Sequence, residues 1–584
     1  MATAPGEYQG GFTGWTARLR QVAAIAAAVC VPAAALAQAP AFTGILLVGA
    51  SAVPLAQVHR RVAPLVGQPA DAALLEKVRK LVAQAHDDAG LGLVAVDPPR
   101  LEGGLAIVRV QPLVLRQVMA VTPGATAEPA PASAIQPMVG AVLPGLQPGQ
   151  TPDLGALDRQ LRLANLQPGR RWAVDFRPRD VATTGATGQP APAIAPAPVF
   201  SSKPGQTLAS EMETPVRATR ALLSGGQFQP GPDSLIDARV TVSDPDPFFG
   251  RLSADNAGQA ATGRERLRLQ LGHTDLLGPG RSIDLTALVS LAHPARQQQM
   301  AVRLQNPVPE WATLFALEAS YAHSRPGLVQ DFFGVSGKSR SLNLSARRLL
   351  ARQGGLEPYA EVAIETAVHD DVIDFFGTNL GSKVGVAPIA LTLGAIWQGG
   401  PWSAFGQARL RHNTGWGAHA GAGDYAAARA GASPHWTTMD VVAEARRGLG
   451  GGQEVVLRGQ AQWSGDALVS PQQFRAGGAN LMRGLPEGEL AGDRGAAVAL
   501  EYWAALSAQH RLGALLDWAG VRRNQAQAGE PASAHAASFG VAWHWQIAPA
   551  LRLQTTAAQV VAARRLPQSG SGDSRVHLLL DWAF

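Results

Sequence analysis

The clearest chemical demand in this chain comes from an arginine set among glycines. The segment reads Phe474-Arg475-Ala476-Gly477-Gly478-Ala479-Asn480-Leu481-Met482-Arg483-Gly484-Leu485, followed by Gly492-Asp493-Arg494-Gly495 and then Glu501. A glycine pair, an arginine-glycine step and a second glycine turn within about twenty residues describe a long, structured hairpin loop with one cation near its tip. An arginine side chain stays charged, so a loop folded inward must find Arg483 an anionic partner inside the fold. Its planar guanidinium suits two charge-assisted hydrogen bonds to one carboxylate. The expected chemistry is electrostatic, not covalent.

Other apparent motifs carry no reaction. Gly337-Lys338-Ser339 matches the end of a phosphate-binding loop, but the glycine needed five positions earlier is Phe332; we read the segment as a hairpin connection. The 13 histidines form no His-x-x-x-His pair with an adjacent acid, and no serine sits in a Gly-x-Ser-x-Gly elbow. We expect no enzyme, no cofactor, no metal site and no small-molecule substrate.

The elements that hold such a loop follow from the rest of the chain. Arg18 and Arg20 precede an apolar run from Val22 to Ala35, and Ala35-Leu36-Ala37 is a small-x-small cleavage site, so 1–37 reads as a signal peptide. The only cysteine, Cys30, lies in it, which leaves the mature chain without thiols or disulfides. The formal charge is +6, yet export argues against a nucleic-acid partner. Only 16% of residues are charged, and no later run of 18 apolar residues exists.

The C-terminal half alternates with period two. Val576, Leu578, Leu580, Trp582 and Phe584 share one face, opposite Arg575, His577 and Asp581. Leu267, Leu269 and Leu271 oppose Arg266, Arg268 and Gln270; Phe539, Val541, Trp543, Trp545 and Ile547 oppose Gly540, His544 and Gln546. One face wants hydrocarbon and the other water, and in a bilayer only a closed barrel leaves no unpaired strand edge. Turn signals at Leu277-Gly278-Pro279-Gly280 and Gly448-Leu449-Gly450-Gly451-Gly452 separate such strands.

Met482-Arg483-Gly484-Leu485 resembles the Val-Arg-Gly-Tyr/Phe signature of two-partner secretion transporters, relatives of BamA, keeping its Arg-Gly core and replacing both flanking hydrophobes. Asp255-Asn256-Ala257-Gly258 with Gly263 is similar to that family's first barrel hairpin. The resemblance implies a transmembrane β-barrel of 16 antiparallel strands over 245–584, preceded by two periplasmic α+β POTRA modules. The first module is placed at 42–116: a strand at Phe42–Val48, helices at Leu55–Val66 and Asp71–Ala89, and strands at Leu91–Val96 and Leu105–Val110. The second, at 117–244, has a helix capped by Asp153 that ends near Ala164, strands at Arg171–Phe176 and Ser234–Val242, and a Pro/Ala/Gly-rich insertion at about 179–231 whose composition predicts disorder. Only Gln38–Ala41 separate the cleavage site from the first strand, so the family's plug helix is expected to be absent and the resting pore leakier.

By the same resemblance, Asp517 in Leu515-Leu516-Asp517-Trp518-Ala519-Gly520 is the lumen carboxylate that meets Arg483. Strand parity agrees, since Leu512, Ala514, Leu516 and Trp518 take the opposite face. Glu501 is a second anionic candidate. Trp582 and Phe584 supply the C-terminal barrel signal read by the barrel assembly machinery. The implied function is translocation of a large, unfolded, TpsA-like exoprotein, captured by the POTRA modules and passed through the outer membrane of a Gram-negative bacterium. The alternative is a BamA-like assembly factor.

Overall fold

The computed structural model describes residues 40–49, 53–89, 93–121, 136–167, 170–178, 235–243, 247–329, 333–375, 378–527 and 529–584. The signal peptide read at 1–37 and the insertion at about 179–231 lie outside the described residues. The chain forms two compact units, Met1–His86 with Val96–Gln111 and Asp87–Ala95 with Pro112–Phe584.

In the first unit, strand β1 (Gly44–Gly49) runs parallel to the strand Leu105–Pro112, which the short strand Arg100–Glu102 pairs antiparallel. Helix α1 (Leu55–Val62) continues as a 3-10 turn to Leu65, and helix α2 spans Ala72–Asp88. Leu74, Val78 and Val82, one face of α2 at helical spacing, are buried. The order matches the one read from the sequence, with the strand at 100–102 in addition.

Calling the strands Val94–Val96, Arg100–Glu102 and Leu105–Pro112 β2, β3 and β4, the second unit begins its own sheet with β5 (Val114–Val121), three residues before the boundary expected at 117. A helix that the sequence reading missed, α3 (Gln136–Val142), precedes α4 (Leu154–Ala164). Asp153 caps α4 as expected, its Oδ1 accepting from the Ala156 N–H at 3.0 Å. Strand β7 (Leu235–Ser243) lies between β5, parallel to it, and β6 (Arg171–Pro178), antiparallel to it. Leu143, Leu157, Leu161, Trp172, Val174, Ile236 and Val240 form the core. These are α/β elements consistent with POTRA modules.

Sixteen antiparallel strands then close a barrel. They are β8 (Phe248–Asp255), β9 (Arg266–His273), β10 (Ser282–Ser290), β11 (Gln297–Val308), β12 (Thr313–Val329), β13 (Phe333–Leu349), β14 (Leu356–Phe375) and β15 (Pro388–Gly399), the last preceded by the short pieces Thr378–Asn379 and Lys383–Val386. The chain continues through β16 (Trp402–Asn413), β17 (Thr437–Gly450), β18 (Gln453–Ser464), β19 (Arg494–Ala505), β20 (His510–Arg522), β21 (Ser533–Ala548), β22 (Leu551–Arg564) and β23 (Ser574–Ala583). The period-two pattern sorts as expected. Leu512, Leu516, Trp518, Phe539, Val541, Leu578 and Trp582 are exposed on the outer wall, while Glu501, Asp517 and Asp581 are buried within.

One expectation is corrected. Gly337-Lys338-Ser339 lies within β13, paired to β12 and β14, and is not a hairpin connection. Strands β12 to β14 run 17 to 20 residues, well beyond the ~9–11 that cross a bilayer. The ladder therefore continues where the sequence was read as loop.

The barrel closes where β23 meets β8 over Leu579–Ala583 and Arg251–Asp255. At the extracellular end, Asn256 extends the ladder with its side chain. Its Nδ2 donates to the Val576 carbonyl at 2.9 Å, and its Oδ1 accepts from the Leu578 N–H at 2.8 Å. Asp255 Oδ1 accepts from the Ala257 N–H and from Arg266 Nε, and Gly258 and Gly263 meet so closely that a Cβ on Gly258 would lie 2.2 Å from the Gly263 carbonyl oxygen. At the periplasmic end Phe584 exchanges both backbone hydrogen bonds with Gly250 and lays its ring over it. Its ring also packs on Trp582, with centroids 4.8 Å apart.

The seam is thus clasped at both ends by the residues singled out in the sequence. Asn256→Ala removes two hydrogen bonds, each worth about 0.5–1.5 kcal/mol, and Gly250→Val displaces the Phe584 ring at roughly 1–3 kcal/mol. Each variant is expected to lower the temperature at which the folded, fast-migrating barrel unfolds in a detergent gel, with the double variant lower than either; unchanged midpoints would show that the clasps do not hold the seam.

Candidate functional site

The loop after β18 turns back into the barrel. Its stem is a small hairpin in which Phe474–Ala476 pairs antiparallel with Leu490–Gly492. Gly477 adopts φ +123°, and a Cβ there would meet the Pro486 carbonyl oxygen at 2.1 Å, so only glycine permits the turn. Gly478, φ +93°, donates its N–H to the Leu485 carbonyl. At the tip Met482 is held at φ +65°, a region that costs a non-glycine residue about 1–3 kcal/mol, and the Leu485 N–H closes the turn onto the Met482 carbonyl at 3.1 Å.

That turn aims Arg483 at the wall. Its backbone N–H donates to Asp517 Oδ2 at 2.8 Å and its Nε to the same oxygen at 2.9 Å, while Nη2 donates to Asp517 Oδ1. Nη1 donates to Glu501 Oε1 at 2.6 Å. The guanidinium is 1% exposed, Glu501 0% and Asp517 4%. Burial this complete is tolerable only with every charge matched. Ser538 Oγ donates to Asp517 Oδ2 at 3.3 Å, the Arg483 carbonyl is held by His577 Nε2 at 2.8 Å, and Trp503 Nε1 donates to Glu501 Oε2 at 2.8 Å.

The loop fits because the wall beneath it is thin. Met482, Leu485 and Leu490 pack with Ala497, Ala519, Ala534, Ala536 and Val560, so four alanines from β19, β20 and β21 make room for the tip. Gly484 is part of the same fit: a Cβ would lie 2.9 Å from both Ser538 Cβ and Val560 Cγ2.

Gly492 and Gly495 differ from the sequence reading. They do not form a glycine turn. Gly492 lies against the Arg522 backbone and Gly495 under the Phe474 ring, both as close-approach positions flanking a bend at Asp493. Asp493 is fully buried and serves as a second hub. Its carboxylate takes both Nη groups of Arg429, the Leu468 N–H at 2.9 Å, the Asn524 N–H at 2.6 Å and Gln473 Nε2 at 3.2 Å. Burial alone would push the Asp493 carboxyl up, but Arg429 and the donating N–H groups hold it below the usual carboxylate range. The hub joins the inward loop to the extracellular segment that carries helix α5 (Ala422–Ala428).

Several participants were missed. From Glu501 the ion pairing continues to Arg458 at 2.9 Å, Glu444 at 2.7 Å and Arg446 at 2.5 Å, then to Glu454 at 3.8 Å and Arg511 at 2.9 Å. This ladder of alternating charge runs down the inner wall of β17 to β20. Inward parity on those strands was the available signal. Register across four strands, which pairs them, was not legible.

The periplasmic mouth is lined by a further set. Leu163 of α4 packs with Leu314, Leu349, Tyr359, Ile396 and Phe405 on the inner wall. Arg162 Nη2 donates to the Leu350 carbonyl at 2.8 Å, Arg352 bridges Asp158 at 3.0 Å and Glu357 at 2.8 Å, and Arg170 pairs with Asp275 at 2.6 Å. The stretch where a plug helix would stand lies outside the described residues. Among the described residues no group of three His, Cys, Asp or Glu side chains could hold a metal ion.

The family model described as haemolysin secretion/activation protein ShlB/FhaC/HecB matches residues 235–543, more than half of the chain. Among solved structures, CdiB from Escherichia coli aligns with a TM-score of 0.71 at 16% identity, covering 97% of this chain and 96% of that one. CdiB from Acinetobacter baumannii aligns with a TM-score of 0.63 at 14% identity, covering 93% and 90%. At these identities the likeness is one of fold. No curated protein matches the chain.

Replacing Asp517 by Asn leaves Arg483 short of one of its two charge partners inside the barrel. With Leu481→Cys as reporter at the loop tip, Asp517→Asn is expected to speed labelling by a maleimide added outside the cells about a hundredfold or more, since stranding a buried charge costs about 3–5 kcal/mol. Equal labelling rates in the two backgrounds would show that the pair does not hold the loop.

Proposed function

Because the chain belongs to the ShlB/FhaC/HecB family of haemolysin secretion/activation proteins, outer-membrane transporters of two-partner secretion, we propose that it carries a large unfolded exoprotein of the haemolysin or adhesin class from the periplasm to the cell surface. The observation that carries this reading is the inward loop. A pore in which one arginine, buried against two carboxylates, holds a loop on a wall of small side chains has a removable obstruction. A rigid porin has no use for such a device.

Capture falls to the α/β region. In the second unit β7 is the middle strand and β5 and β6 are the edges of the sheet. An extended segment added to such an edge gains main-chain hydrogen bonds without a folded partner. The chain then passes the mouth, where α4 must give way, and the lumen, where the loop must. Release of Arg483 from Asp517 and Glu501 is the switching event, an order change in one segment. Folding of the exoprotein outside supplies direction, since no nucleotide is available in the periplasm. Trp582 and Phe584, packed on each other at the end of β23, present the strand end that the barrel assembly machinery reads.

Export of a candidate exoprotein co-expressed with this chain tests the reading. Arg483→Ala is expected to lower surface and medium exoprotein roughly tenfold or more, in line with the loss of a buried ion pair, while the barrel still assembles. Normal export by that variant would remove the latch from the mechanism. No export by the native chain, with loss of other outer-membrane barrels on deletion, would replace transport by the assembly-factor reading.

A further inference from the structure

The outer wall of the strands that hold the latch carries a feature that transport does not use. At the extracellular ends of β19, β20 and β21 an open cavity of about 330 Å³ is lined by Arg494, Trp518, Gly520, Arg522, Ser533 and His535. All six side-chain positions face outward by parity with the exposed Val498, Leu516 and Phe539 below them. Strand β19, from Arg494 to Ala505, is about 36 Å long at ~3.3 Å per residue. At a tilt of roughly 40° it just spans the ~25 Å apolar band of an outer-membrane barrel. The cavity therefore sits at the outer rim of that band.

Its charge is one-sided. Arg494 and Arg522 are direct cross-strand partners, an arrangement of like charges that destabilises a sheet unless something negative lies between them. His535 stands opposite Arg564 in the next pairing. No carboxylate lines the cavity, and the nearest one in sequence, Asp493, is turned to Arg429. Arg494 is pre-positioned, with its Nε bonded to the Ser464 carbonyl at 2.8 Å and its guanidinium 5.6 Å from the Trp463 ring centroid. Among the described residues, the side chains of Arg522 and Arg564 have no hydrogen-bond or ion-pair partner. Gly520 keeps the floor open, since a Cβ there would press on the Trp518 ring at 3.1 Å.

We propose that this cavity binds the phosphorylated sugar headgroup of an outer-leaflet glycolipid of the lipid A type. Phosphate answers the paired guanidiniums, because arginine forks match phosphate oxygens two at a time. A sugar face suits Trp518, and the acyl chains continue down the apolar wall over Leu516, Val498 and Phe539. The position at the rim of the band selects a membrane lipid over a soluble phosphate. Bound there, the glycolipid bridges β19 to β22 from outside. Two of these strands, β19 and β20, carry Glu501 and Asp517 on their inner face.

The full chain in phosphatidylcholine nanodiscs, titrated with bisphosphorylated lipid A and read by native mass spectrometry, tests the site independently of export. One lipid A is expected to bind per barrel. Arg522→Gln with Arg564→Gln, which removes no side-chain hydrogen bond or ion pair among the described residues, is expected to weaken it roughly tenfold or more, with unchanged heat-modifiable migration. Dephosphorylated lipid A is expected to bind as weakly to the native chain. Unaltered affinity in the double variant would overturn the site, and equal binding of phosphatidylglycerol would overturn the glycolipid as its occupant.

Discussion

A guanidinium that is 1% exposed inside a protein sets severe conditions on everything around it. Arg483 must reach two carboxylates at once, so β19 and β20 must be neighbours with Glu501 and Asp517 facing inward at matching depth. Their register supplies this, placing Glu501 opposite Leu515, two positions from Asp517 on the same face. The tip must present its backbone N–H to Asp517 as well, which requires the left-handed Met482. The wall must be shallow, which accounts for alanine at 497, 519, 534 and 536. One ion pair thus dictates residue choice on the loop, on two strands and on the wall between them.

Much of this is legible in the sequence, and for identifiable reasons. Period-two alternation is a direct consequence of strand geometry, so Asp517 could be assigned inward from its neighbours alone. The Arg-Gly step and the Asp255-Asn256 hairpin are local patterns, and each lies where a local pattern can be read. Gly492 and Gly495 were misread because glycine signals both turns and close approach, and only the packing of Phe474 and Arg522 distinguishes the two. Arg429, Arg458 and His577 escaped for another reason. Each meets the site from a distant strand or loop, and pairing at such separations depends on register and loop path, which no local pattern encodes. The extension of β13 through Gly337-Lys338-Ser339 was hidden by the turn-like composition of that stretch.

The loop is anchored twice, by chemistry of different kinds. At its tip the contacts are charge-to-charge and shielded. At its return, Asp493 is satisfied largely by backbone N–H groups from separate loops and by Arg429. The second arrangement ties loop to loop instead of loop to wall. Withdrawal of the tip therefore need not unravel the extracellular cap, and the two halves of the loop can behave separately.

The charge ladder has an electrical consequence. With the loop seated, the ion-pair ladder on the inner wall of β17 to β20 joins Glu444, Glu454, Glu501 and Asp517 to Arg446, Arg458, Arg483 and Arg511, four of each sign. Of these eight groups Arg483 alone comes from the loop, so the strands by themselves hold the ladder one positive charge short. The fixed part of the ladder is therefore a net-negative site at the depth of the loop tip, complete only while Arg483 is seated.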